Sequence, residues 1–132
     1  MLRYMLDTNI VIYTIKNRPP KVKALFDAHA AHLCISAVTY AELLYGVEKS
    51  QDPHRNQQVV DGLAARLDVL SFDMAAASHL GQLRAELAKK GTPIGHYDEM
   101  IAAHARAAGL ILVTNNLREF KRVPGLRLEN WV

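Results

Sequence analysis

Short apolar runs alternate with longer segments of helical periodicity along this chain. The runs are Leu2–Leu6, Leu33–Ile35, Val69–Phe72 and Leu110–Val113, with a further short one near Leu126–Leu128. Between them apolar residues recur three or four positions apart, as at Val22, Leu25 and Phe26, or at Val38, Leu43, Leu44 and Val47. That spacing belongs to a helix that buries one face. Strands separated by helices cannot pair through tight hairpins; each crosses over a helix and returns parallel to its predecessor. Leu110–Val113 is apolar without a break, as befits a strand covered on both faces. The pattern predicts an α/β fold, a parallel sheet with helices on both faces.

Local signals place the boundaries. Thr8 is predicted to cap a helix over Asn9–Lys16, which the segment Asn17-Arg18-Pro19-Pro20 ends. Further helices are predicted over Lys21–Ala30, over Val38–Lys49 behind a Ser36 cap, and over His54–Leu67 after the turn Gln51-Asp52-Pro53. Asp73 caps a long helix, Met74–Lys90, stopped by Gly91; another, Tyr97–Ala108, stops at Gly109. A short helix over Asn115–Arg122 completes the set, with Asn116 a candidate cap. With no repeat and no linker-like stretch, residues 1–132 are expected to form one domain, a length that suits a single core. Cys34 is the only cysteine, which excludes an internal disulfide and a cysteine zinc site; in the run Leu33-Cys34-Ile35 it reads as a small buried hydrophobe. No run approaches the ~20 apolar residues of a membrane span, so a cytoplasmic protein with no membrane partner is expected. Sixteen basic residues against 13 acidic leave a net charge of +3, compatible with a nucleic-acid partner without requiring one.

Carboxylates then fall at informative places. Asp7 closes the first run and precedes Thr8 and Asn9. Glu42 lies on the helix after the second strand, Asp98 in the first turn of the helix after Gly95-His96-Tyr97, and Thr114, Asn115, Asn116 and Glu119 follow the fourth strand. Taken singly, each has an ordinary explanation. Glu42 could reach solvent from the edge of an apolar face, Asp98 could favour a helix dipole, and Glu119 could pair with Lys121 or Arg122. In a parallel sheet, however, residues beyond the carboxyl ends of neighbouring strands converge on one crevice. Carboxylates gathered there repel one another and raise each other's pKa. A divalent cation removes the conflict, and oxygen-only donors point to Mg²⁺ or Mn²⁺ rather than zinc. Such a site suits phosphodiester hydrolysis, activating a water and stabilising the leaving oxygen.

At these residues the chain resembles the PIN-domain ribonucleases, specifically the VapC-type toxins of bacterial toxin–antitoxin pairs. The resemblance is carried by Met5-Leu6-Asp7-Thr8-Asn9, by Ala41-Glu42-Leu43-Leu44-Tyr45-Gly46, by Asp98-Glu99-Met100-Ile101-Ala102-Ala103-His104-Ala105, and by Val113-Thr114-Asn115-Asn116 leading to Arg118-Glu119-Phe120. The pieces stand in the family's order and cover essentially the whole chain. The resemblance implies a three-layer α/β/α sandwich with a central, mostly parallel sheet of about five strands. It implies an endoribonuclease toxin that cuts RNA, with tRNA, and the anticodon loop of initiator tRNA in particular, as the expected target. Asp7 and Asp98 would be the main ligands of Mg²⁺ or Mn²⁺, and Glu42 would bind directly or through water. Many relatives carry Asp where this chain has Asn116, so that ligand is neutral here and Glu119 is the candidate to supply the charge. Thr8, Asn9 and Thr114 would orient the carboxylates or a water. A VapB-type antitoxin would wrap the toxin and block its cleft, and homodimers and larger toxin–antitoxin assemblies are usual.

The apolar richness of Ala24–Leu44 predicts an antitoxin groove on the first helices, visible as an exposed apolar patch. Lys16 and Arg18 are candidates to offset RNA phosphates, and Tyr13 and Tyr45 to stack on unpaired bases, although helix packing suits the two tyrosines equally well. Among the histidines, His104 is expected to be structural, His29 and His32 to sit at a solvated helix end, and His96 to lie within reach of substrate. A catalytically weak module that binds nucleic acid and acts through a partner is the alternative; the carboxylates at Asp7, Glu42 and Asp98 disfavour it. An aspartyl-nucleophile phosphatase needs a second Asp two residues after the first as general acid, and that position is Asn9. A helix-turn-helix regulator does not account for the strand–helix alternation.

Overall fold

The computed structural model describes residues 1–132. Its strands are β1 (Tyr4–Leu6), β2 (Leu33–Ser36), β3 (Asp68–Leu70), β4 (Ile111–Val113) and β5 (Leu128–Glu129). Its helices are α1 (Thr8–Lys16), α2 (Pro20–His29), α3 (Ala37–Glu48), α4 (Pro53–Ala64), α5 (Met74–Lys90), α6 (His96–Ala108) and α7 (Leu117–Phe120). All four strand pairings are parallel, in the order β3-β2-β1-β4-β5. The sequence therefore winds outward from β1 in one direction to β3, then returns across the centre to β4 and continues to β5. The reversal falls between β1 and β4, the two strands whose carboxyl ends open a crevice in sheets of this kind.

Successive residues of a strand face opposite sides of the sheet, and the two cores follow from that. Tyr4 and Leu6 of β1, with Leu33 and Ile35 of β2, pack beneath α1 to α4 against Phe26, Leu43 and Val60. Met5 and Cys34 face the other way, onto Leu83 and Leu87 of α5 and Ile101 of α6. Every residue of β1 and β2 is buried, whereas Asp68 and Val69 of the edge strand β3 are exposed. The C-terminal Trp131 is buried against Tyr4 at a ring separation of 5.4 Å.

The helix ends largely follow the local chemistry. Ser36 accepts from the Val38 N–H and Asp73 from the Ala76 N–H, while Gly91 and Gly109 take the left-handed conformation that closes α5 and α6. One cap differs from the sequence reading: Asp7, not Thr8, caps α1, its Oδ1 accepting from the Ile10 N–H at 2.9 Å. Thr8 is the first helical residue, which frees its hydroxyl for another partner. Asn116 occupies the cap position of α7 without making a side-chain cap bond, and its amide Nδ2 donates to Glu119 instead. A turn of 3-10 helix at Ala30–His32 joins α2 to β2. No helix is long and apolar enough to cross a membrane.

Candidate functional site

Leu6 of β1 stands in register with Val113 of β4, so the next residues, Asp7 and Thr114, leave the sheet side by side. The Asp7 N–H donates to the Val113 carbonyl at 3.0 Å, fixing the Asp7 backbone to the end of β4. Its carboxylate is only 4% exposed and is held by the Ile10 N–H and by the Thr114 hydroxyl. Burial pushes its pKa up, the two hydrogen bonds pull it down, and the charge of Glu42 pushes it up again.

Glu42 comes from α3. Its Oε1 accepts from the Thr8 hydroxyl at 2.8 Å, and the buried Thr39 hydroxyl lies 3.3 Å from the same Thr8 oxygen. Thr39 precedes Glu42 by three residues and so shares its helix face. That spacing is the signal by which it could have been found in the sequence. Asp98 comes from the first turn of α6. Burial raises its carboxyl first, then the hydrogen bond to Glu119 and the negative charges of Glu119, Asp7 and Glu42, to about 7. Asp98 and Glu119 thus meet as a carboxyl pair that favours holding a proton between them. The second Glu119 oxygen accepts from the Asn116 amide at 3.0 Å, and the Asn116 N–H donates to the Thr114 hydroxyl at 2.9 Å. Asn116 thus anchors Glu119, and Glu119 meets Asp98, rather than the surface partners Lys121 and Arg122 considered from sequence.

A cleft of ≈ 550 Å³ opens over these groups, and Asp7, Thr8, Asn9, Glu42 and Asp98 all line it. Asn116, Glu119 and Thr114 do not line it; they act on it through Asp98 and Asp7. The remaining wall is made by Ile12, Ala41, Tyr45, Gly46, Lys49 and Tyr97, among which Tyr45 is the residue that the sequence marks as a candidate to stack on bases. No three acidic, histidine or cysteine side chains close into a ready-made metal cage. The donor set nevertheless fits a hard divalent cation. It consists of oxygen atoms alone, and burial, with the hydrogen bond to Glu119 and the neighbouring negative charges adding to it, pushes the Asp98 carboxyl up to about 7. A cation relieves the same repulsion that the proton relieves.

Other residues fall outside this group. His104 is buried, its Nδ1 2.8 Å from the Ser36 hydroxyl and its ring edge-on to Phe72, and burial lowers its pKa. It is a packed structural residue, as expected. His29 is not a solvated helix end: it stacks on Trp131 and packs against Tyr4. Lys16 and Arg18 are exposed, and Tyr13 is tied down by a bond from the Asn115 amide to its hydroxyl. The exposed apolar patch expected between Ala24 and Leu44 is absent, because none of the large hydrophobics left exposed falls in that segment. Leu25, Tyr40 and Leu44 are partly buried against the core instead.

Comparison with known proteins identifies the family and the fold. The model of the family described as "PIN domain" matches residues 4–126. The chain is 59% identical over 131 residues to the "tRNA(fMet)-specific endonuclease VapC" of Shigella flexneri, covering 99% of each chain. It is 54% identical over 132 residues to "Ribonuclease VapC2" of Haemophilus influenzae, covering 100% of each. Among solved structures, the "DNA bound VapBC from Salmonella typhimurium" superimposes with a TM-score of 0.96 at 56% identity, covering 100% of both chains.

Proposed function

The chain belongs to the PIN-domain family, and on that premise we propose that it is a VapC-type endoribonuclease toxin. Its proposed substrate is initiator tRNA, its cofactor Mg²⁺ or Mn²⁺, and its partner a VapB-type antitoxin that blocks the cleft. The observation that carries the reading is the meeting of Asp7, Glu42 and Asp98 in one cleft at the switch point of the sheet. The specificity for initiator tRNA is supported by the 59% identity to the relative that bears that name. The antitoxin is supported by likeness to the toxin–antitoxin complex of Salmonella typhimurium.

Asp7 and Asp98 would hold the cation, with Glu42 and Glu119 supplying further negative charge. When bound, a divalent cation supplies Lewis acidity at the scissile phosphodiester. Asp7 is rigid, because its backbone and its carboxylate are both hydrogen-bonded. Thr8 fixes Glu42 through Oε1 and leaves Oε2 to accept a proton from water in the cleft. Asn116 is neutral and contributes by holding Glu119 beside Asp98. Thr114 lowers the Asp7 pKa with its hydroxyl and accepts the Asn116 N–H, so it serves both halves of the site.

The test is cleavage of initiator tRNA by the purified protein, with RNA 5′ ends mapped. Asp7→Ala and Asp98→Ala should each abolish cutting and growth arrest while the far-UV spectrum and melting remain cooperative, and EDTA should stop the wild type. Full activity in either variant, or undiminished cutting in EDTA, refutes the mechanism.

A further inference from the structure

The chain has nine aromatic Phe, Trp and Tyr residues, and only Tyr45 and Tyr97 are left exposed, at 66% and 57%. Both line the acidic cleft. They arrive from different elements, Tyr45 from α3 and Tyr97 from α6, and each is tied in sequence to a carboxylate of the site. Tyr45 follows Glu42 by three residues on one helix face, and Tyr97 immediately precedes Asp98. Lys49, one helical turn beyond Tyr45, holds its ammonium 4.8 Å from the Tyr45 ring centre and forms no salt bridge. Between them Gly46 contributes no side chain, and a Cβ there would meet nothing within 4 Å, so the wall beside the ring is open. Along α3 the cleft therefore presents a carboxylate, an exposed aromatic ring and a cation that lies over one face of that ring and has no carboxylate partner.

We propose that Tyr45 and Tyr97 form a two-ring clamp that stacks on unpaired bases flanking the scissile phosphodiester, with Lys49 taking a neighbouring phosphate. The clamp rests on the endoribonuclease reading above and specifies what the cleft recognises: a single-stranded or loop RNA whose bases can splay out of their own stack. Duplex RNA offers no such faces. An aromatic ring serves any base, because every base has a π-face, and stacking of this kind contributes ~1–3 kcal/mol per base. The rings position substrate and take no part in bond breaking. Their loss acts on binding, and the hydroxyls are dispensable.

The experiment uses a synthetic stem-loop RNA carrying the anticodon loop of initiator tRNA, with Mg²⁺, and compares the wild type with Tyr45→Ala, Tyr97→Ala, Tyr45→Phe and Tyr97→Phe. Each Ala variant should lose roughly tenfold to a hundredfold in kcat/KM, mainly through KM, and each Phe variant should stay within about twofold of wild type by the same reasoning. Melting temperatures should be unchanged because both rings are exposed. Ala variants that cut as well as wild type overturn the clamp, as do Phe variants as impaired as Ala. Ala variants that keep full cleavage but escape inhibition by the antitoxin assign the rings to the protein partner and also overturn it. A wild-type protein that cuts no RNA refutes the underlying reading, and the clamp with it, before any variant is compared.

Discussion

Replacing Asp98 by Asn should make the metal-free protein more stable, and increasingly so as the pH rises. Asp98 carries a carboxyl raised from 3.8 to about 7, first by burial and then by the hydrogen bond to Glu119 and the charges of Glu119, Asp7 and Glu42. The unfolded chain releases this proton near 3.8, the folded chain near 7. Between these values the folded state binds more protons, so wild-type stability falls as the pH rises through the window. The Asn variant has no proton to lose, and its amide donates to Glu119. At 1.36 kcal/mol per pKa step the upper limit of the effect is ~4 kcal/mol. Asp98 is partly exposed, and solvent screening brings the expected gain to ~1–2 kcal/mol at pH 8. At about pH 5 roughly a third of the gain is present, leaving a difference between the two conditions on the order of 1 kcal/mol. Urea denaturation in EDTA reads this as a midpoint shift larger by roughly 0.3–1 M at pH 8 than at pH 5. The same variant should be inactive on RNA. Equal stabilisation at both pH values, or destabilisation at pH 8, refutes the account of crowded carboxylates.

The same proton competes with the cation, so the Mg²⁺ concentration needed for half-maximal cleavage should climb as the pH drops below about 7, where Asp98 holds its proton; a metal requirement that is flat from pH 6 to about pH 8 contradicts competition at this carboxyl. Thr8→Val removes the hydroxyl that holds Glu42 at 2.8 Å and should lower kcat about fivefold, the equivalent of one hydrogen bond of ~1 kcal/mol, with little change in melting temperature; unchanged kcat assigns Thr8 to packing alone. Burial pushes the Cys34 thiol up to about 12, so a colourimetric thiol reagent at pH 8 should label it only after denaturation. Leu112→Ala opens a cavity under the fully buried centre of β4 and should cost ~2–5 kcal/mol in chemical denaturation.

The amino-acid sequence by itself determined the alternation of strands and helices, because buried parallel strands and one-sided helices have different apolar periods. It placed α5 at Met74–Lys90 from its Asp73 cap and its Gly91 stop, both purely local devices. It was weakest at β3, read at Val69–Phe72 and found at Asp68–Leu70, because an edge strand with exposed residues lacks a distinctive pattern. The carboxylates of the site were legible through their positions after strands and through family resemblance. Their partners were not. That Thr8 reaches Glu42 depends on the pairing of β1 with β2, which sets α1 beside α3, and that Asp7 and Thr114 leave the sheet side by side depends on the pairing of β1 with β4. Thr8 and Glu42, like Asp98 and Glu119, are separated by tens of positions in sequence and meet only in the folded chain, whereas the Asp7–Ile10 and Asn116–Glu119 bonds each span three residues and are local. The exposure of Tyr45 and Tyr97 was decided in the same way, because a tyrosine on a helix packs or projects according to what the rest of the fold sets against it.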